Sequence, residues 1–172
     1  GDSLSQLSRF YAQAAMAAGI SFDMLFGPAY KGIPLVAGVA IALADKGKNF
    51  PFAYNRKEAK DHGEGGILVG SPLEGRVLIV DDVISAGTSV RESVELIRNR
   101  GAQPAGVLIA LDRMEKGKGE LSAVQEVNRN YGIPVIAIAN LDDLVNYLKP
   151  QHEMKLNLQR LQAYREQYGI RV

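Results

Sequence analysis

The stretch RVLIVDDVISAGTSV, Arg76 to Val90, decides how this chain is read. Four apolar residues follow Arg76 without a polar break, which predicts a strand covered on both faces. Two adjacent carboxylates, Asp81 and Asp82, close the run. Small residues, a glycine and three hydroxyls come next. A helical pattern then begins at Thr88, with Val90, Val94 and Ile97 on one face and Gly101 as its stop.

The same alternation extends in both directions. Upstream, residues 2–19 read as a helix capped by Asp2 or Ser3, with Leu4, Leu7, Tyr11 and Ala14 or Ala15 on its inner face. Phe22 to Phe26 reads as a strand, Gly27 to Gly32 as a loop, and the stretch from Ile33 to Ala44 as a very apolar helix. A helix without a polar face predicts deep burial or a subunit interface. Pro51 to Asn55 reads as a further strand, and Arg56 to Gly70 as a glycine-rich mobile loop. Downstream come strands at 104–112 and 133–139, and helices at 119–132, 141–149 and 154–169. Strands alternating with helices predict an α/β domain over residues 1–172, with a mainly parallel central sheet flanked by helices on both faces. Ligands of such sheets sit at the carboxyl ends of the strands, which is where Asp81 and Asp82 fall.

Bulk composition narrows the function classes. Twenty basic against nineteen acidic residues leave a formal charge of +1, so no global field favours nucleic acid or an anionic membrane. The longest apolar stretch is too short to span a bilayer. With no cysteine, thiolate catalysis, disulfides and cysteine-based zinc sites are excluded. His62 and His152 lie far apart and suggest no metal site. A cytoplasmic protein is the expectation.

Residues Ser85 to Ser89 form a cradle for one phosphate monoester. Glycine and alanine let backbone N–H groups approach an anion, the following helix adds its positive end, and Ser85, Thr88 and Ser89 add hydroxyl donors. The two carboxylates would repel that phosphate, so they are better matched to neutral hydroxyls, as on a ribose. A Mg²⁺ ion bridging hydroxyls and further phosphate also suits nearby acids, directly or through water. The spacing is neither that of a nucleoside-triphosphate P-loop nor that of a dinucleotide fingerprint. The bland alternative is that the acids merely cap the next turn.

The full string VLIVDDVISAGTS resembles the phosphoribosyl-pyrophosphate (PRPP) binding motif of type I phosphoribosyltransferases. Three further stretches, LFGPAYKGIPL (Leu25 to Leu35), NRKEAKDHGEGG (Asn55 to Gly66) and LDRMEKGKGELSAVQEV (Leu111 to Val127), look like orotate phosphoribosyltransferase, in the family's order. The resemblance implies transfer of phosphoribose from PRPP to orotate with Mg²⁺, in de novo pyrimidine synthesis. It implies ribose hydroxyls on Asp81 and Asp82, and the 5′-phosphate on Ser85, Ala86, Gly87, Thr88 and Ser89, with Val83 and Ile84 in the same PRPP-binding turn. Tyr30 and Lys31 would line the pyrophosphate loop, and Arg56, Lys57, Lys60 and His62 would gather the pyrophosphate, some across a homodimer interface. Lys60, His62, Asp81 and Asp82 are the implied catalytic group; Arg113, with Ser85, would bind orotate. A non-proline cis peptide is implied at Ala29–Tyr30.

Each assignment has a plainer counterpart. Lys31 and the basic run at Arg56 to His62 also read as solvated surface charge, and Arg113 as a structural partner of Glu115 or Glu120. The family carries an N-terminal segment ahead of the first helix here, and its absence predicts a PRPP site without its hood over the base. A phosphoribosyltransferase for another base is one competing reading. A PRPP-sensing regulator that binds nucleic acid on the same fold is another. Neither a nucleic-acid nor a membrane partner is expected.

Overall fold

A computed structural model of the chain describes residues 1–60, 66–85, 87–117 and 119–170. Six strands form one sheet among them: β1 (Met24–Gly27), β2 (Phe52–Lys60), β3 (Gly66–Gly70), β4 (Arg76–Val80), β5 (Gln103–Asp112) and β6 (Val135–Asn140). Their order is β3-β2-β1-β4-β5-β6. Every pairing is parallel except β2 with the edge strand β3. The helices are α1 (Asp2–Ala17), α2 (Gly32–Ala44), α3 (Thr88–Asn99), α4 (Ala123–Tyr131), α5 (Leu141–Leu148) and α6 (Lys155–Tyr168).

The central strands divide their side chains between two cores with the period of two that a pleated strand imposes. Phe26, Ile79 and Ile109 join Val90, Val94 and Ile97 of α3 and Val127 of α4. Leu25, Leu78 and Leu108 join Tyr11, Ala12 and Ala15 of α1 and Leu35, Val36, Val39 and Leu43 of α2. Both faces are thus covered, which is why β4 carries no polar residue after Arg76. Among the described residues no helix is long and apolar enough to cross a membrane.

Several local expectations need correction. Residues 56–60 and 66–70 are not loop but the two arms of an antiparallel hairpin, with Tyr54 opposite Val69 and Lys60 opposite Gly66. Glycines and charges disguised them, because an edge hairpin exposed to solvent needs no apolar run. The loop reading of 61–65 lies outside the described residues. Gly1, not Asp2 or Ser3, occupies the N-cap of α1, and no side chain caps it. Leu4 is exposed, while Ser8 and Ala12 are buried, so the inner face of α1 is rotated from the expected one. Gly38 of α2 explains the rotation: a Cβ there would strike the Ser8 hydroxyl, so the two helices cross at small residues. The helix expected from residue 119 starts at Ala123, where Ser122 and Gln125 form a reciprocal capping box. The apolar α2 buries most of its length but leaves Ile41 open to solvent.

Between β1 and β4 the sheet changes its winding direction. The chain leaves β1 towards β2 on one side and leaves β4 towards β5 on the other. A crevice therefore opens beyond the carboxyl ends of β1 and β4. It lies past Gly27 and Val80, the last residues of these strands.

Candidate active site

The loop after β1 is held by close backbone packing. Gly27 faces Gly32, and no side chain fits between them. The Ala29–Tyr30 peptide is cis, as the resemblance implied. The Ala29 amide donates to Asn55 Oδ1 at 2.8 Å, which ties the loop to β2. Tyr30 stands largely in solvent, and Lys57 Nζ lies 5.9 Å from its ring centroid, within cation–π reach. Lys31 Nζ meets Asp82 Oδ2 at 2.6 Å. This contact holds the Lys31 ammonium above its ordinary pKa.

The two carboxylates after β4 differ sharply. Asp81 is 7% exposed and internally satisfied. Its Oδ1 accepts from the Asp82 amide and its Oδ2 from the Ser89 hydroxyl, each at 3.0 Å. Burial pushes its pKa up, and those two donors oppose the rise. Its own amide donates to the Leu108 carbonyl at 3.0 Å. Its carbonyl accepts from the Tyr11 hydroxyl at 2.8 Å. Asp82 instead turns towards solvent and Lys31, and its carbonyl accepts from the Ala110 amide at 2.9 Å. One acid is built into the frame; its neighbour is presented by it.

Tyr11 was not singled out as functional, although a hydroxyl on the inner face of a helix is a visible signal. It is wholly buried and carries the tie from α1 to the acid pair. Replacing it with phenylalanine keeps the packing and removes one donor from a buried carbonyl. Tyr11→Phe is expected to lower the unfolding free energy by about 1–2 kcal/mol, read by urea denaturation. An unchanged midpoint would mean that the hydroxyl carries no net stability.

The turn after the acids forms one wall of a cleft of about 480 Å³. Ser85, Gly87, Thr88 and Ser89 line one side, and Arg56 and Lys57 from β2 the other. Gly87 takes φ 68°, a left-handed conformation that suits glycine, and it is the N-cap of α3. Among the described residues no side chain caps that first turn, which leaves its amides open to an anion. Arg56 Nη1 is buried without a hydrogen-bond partner among the described residues, and this favours an anion beside it. Ser89 serves Asp81 with its hydroxyl, so its part in anion binding falls to its amide. Asp81, Asp82, Lys31 and Arg113 do not line this cleft and form a second group beside it.

Arg113 lies just past β5 and belongs to that second group. Its charge opposes the upward shift on Lys31, so the two cations share one field. Arg113 Nη2 pairs with Glu115 Oε2 at 3.0 Å, as the plainer reading of the sequence had it. Its Nε is buried without a partner among the described residues. His62 and Ala86 lie outside the described residues; Lys60 is the last residue of β2. His152 opens a short 3₁₀ turn between α5 and α6. Among the described residues no three acids or histidines cluster as metal ligands.

Comparison with known proteins shows the family of the chain. Residues 2–136 match the phosphoribosyl transferase domain family. The chain is 67% identical over 172 residues to the orotate phosphoribosyltransferase of Nitrosospira multiformis, covering all of this chain and 75% of that protein. It is 65% identical to the enzyme of Laribacter hongkongensis, over 99% of this chain and 80% of the relative. The crystal structure of the Francisella tularensis orotate phosphoribosyltransferase superposes with a TM-score of 0.85 at 36% identity, covering 98% of this chain and 81% of that one.

Proposed function

The chain belongs to the orotate phosphoribosyltransferase family, and from that membership we propose how its residues share the work. The enzyme transfers the phosphoribosyl group of PRPP to orotate, giving orotidine 5′-monophosphate and pyrophosphate, a step of pyrimidine synthesis. The observation that carries the assignment of roles is the juxtaposition of an uncapped α3 start with an acid pair at the sheet's switch point.

The 5′-phosphate is bound by the amides of residues 85–89 and the hydroxyls of Ser85 and Thr88. Asp82 accepts the ribose hydroxyls, and Asp81 fixes the turn that presents it. Arg56, Lys57, Lys60 and His62, with Tyr30 and Lys31, receive the pyrophosphate. Arg113 takes the orotate carboxylate. A bond forms from the pyrimidine nitrogen to the anomeric carbon as the C–O bond to pyrophosphate breaks, and the leaving group keeps the electron pair. Positive charge then builds on the ribose and negative charge on the departing oxygens. Fixed cations placed on the leaving side lower that barrier. Orotate is already anionic, so no strong base is needed. Bound Mg²⁺ would add to the charge neutralising the pyrophosphate.

The hairpin of β2 and β3 carries Arg56 to Lys60 and serves as a lid that closes over the reacting groups, with some residues acting across a homodimer. The exposed Leu4 and Ile41 on α1 and α2 supply apolar surface for such an association. A chain without cysteine suits a reducing compartment, and we place the enzyme in the cytoplasm. Identity to orotate enzymes over nearly the whole chain leaves the other-base and nucleic-acid-regulator readings without an observation in their favour.

The test is loss of orotate absorbance with PRPP and Mg²⁺, run beside Lys60→Ala. Loss that requires PRPP and falls at least about tenfold in the variant is expected, from removal of one leaving-group cation. Turnover that ignores PRPP would overturn the activity, and an unimpaired variant would overturn the role of Lys60.

A further inference from the structure

We infer that Glu115 is a positioning residue for substrate recognition: it holds the Arg113 guanidinium in the orientation that receives the orotate carboxylate. The inference rests on the proposed role of Arg113 and adds to it a residue that does not touch the substrate.

Four observations carry it. Arg113 and Glu115 form an ion pair at 3.0 Å, and the Glu115 side chain is only 17% exposed. Water therefore competes poorly for it. Arg113 retains a buried Nε with no partner among the described residues, so Glu115 leaves part of its donor set unclaimed. A free arginine samples many rotamers, and a single ionic anchor on one nitrogen removes much of that freedom before substrate arrives.

The backbone supplies the last observation, because Glu115 is itself clasped from two directions. The Lys116 amide donates to the Tyr168 carbonyl at 2.9 Å, and the Ile170 amide to the Met114 carbonyl at 3.1 Å. These bonds fasten the segment to the end of α6. The Ala123 amide donates to the Glu115 carbonyl at 3.2 Å, which fastens it to the start of α4. Met114, between the two charged residues, sits at φ 50° and donates its amide to Asp112 Oδ1 at 2.8 Å. A non-glycine residue in that region is uncommon. Such a turn sets Arg113 and Glu115 on a fixed base, so their ion pair follows from the fold and not from a chance meeting of surface charges.

Kinetics of four variants decide the matter. Glu115→Ala is expected to raise the orotate KM roughly tenfold while the PRPP KM stays within about twofold, as loss of a partly buried orienting charge predicts. Glu115→Gln keeps the shape and an acceptor oxygen, and its orotate KM should fall between the two. In the Arg113→Ala background the added Glu115→Ala change should cost nothing more, because a residue acting through another has no effect once that partner is gone. A full Glu115→Ala penalty in that background would overturn the inference. So would an orotate KM unmoved in Glu115→Ala and Glu115→Gln, or equal rises in the KM of both substrates. If Arg113→Ala alone left the orotate KM unchanged, the role of Arg113 would fall first and the inference with it.

Discussion

Asp82→Ala is expected to lower kcat/KM for PRPP by about two orders of magnitude while leaving the fold intact. Asp82 presents its carboxylate to solvent and to Lys31, and its side chain is 31% exposed. Two ribose hydroxyls on one carboxylate would make two charge-assisted hydrogen bonds, each worth about 1.5–3 kcal/mol. At about 1.4 kcal/mol per decade, their loss corresponds to about a hundredfold or more. Stability should barely change, because an exposed ion pair such as that with Lys31 contributes little. The measurement is steady-state kinetics with varied PRPP beside a denaturation curve. A kcat/KM for PRPP within a few-fold of the parent would remove Asp82 from the ribose site. Asp81→Ala should behave differently and damage stability as well, since it removes the acceptor for Ser89 and for the Asp82 amide.

Gly27→Ala should cost about 3 kcal/mol of unfolding free energy, at the upper end of what overpacking does in a core. The added Cβ would run into the Gly32 carbonyl and into Val36 Cγ1. Neither obstacle is the free end of a flexible side chain: one is backbone at the start of α2, the other is fully buried. The loop between Gly27 and Gly32 carries Tyr30 and Lys31, so activity should fall with stability. Urea denaturation and PRPP kinetics on the same preparation measure both. An unshifted midpoint would show that β1 and α2 can separate without penalty, contrary to their close approach.

Much of this was legible in the residue order. The unbroken apolar run at Val77 to Val80 identified a doubly covered strand because only such a strand tolerates apolar side chains on both pleat faces. The acid pair, the small residues and the helix start after it pointed to an anion cradle because spacing along the chain sets which groups a strand-to-helix turn can present. The hairpin of β2 and β3 was not legible. Its charges and glycines look like a loop, and only pairing with a neighbouring strand gives them their form.

Within the site, residue order determined the types: two adjacent carboxylates, a run of donors, an arginine after β5. It treated Asp81 and Asp82 as equals. Tertiary structure decided that Asp81 is buried against Ser89 and Tyr11 while Asp82 faces Lys31. The physical reason is the pleat. Successive residues leaving a strand point to opposite sides, and which side is core depends on where α1 crosses the sheet. In the same way, residue order placed Glu115 near Arg113, but the bonds from α4 and α6 decided the base on which the two meet. Local chemistry follows from neighbours in sequence; the division of labour among like residues follows from burial, which contacts distant in sequence alone determine.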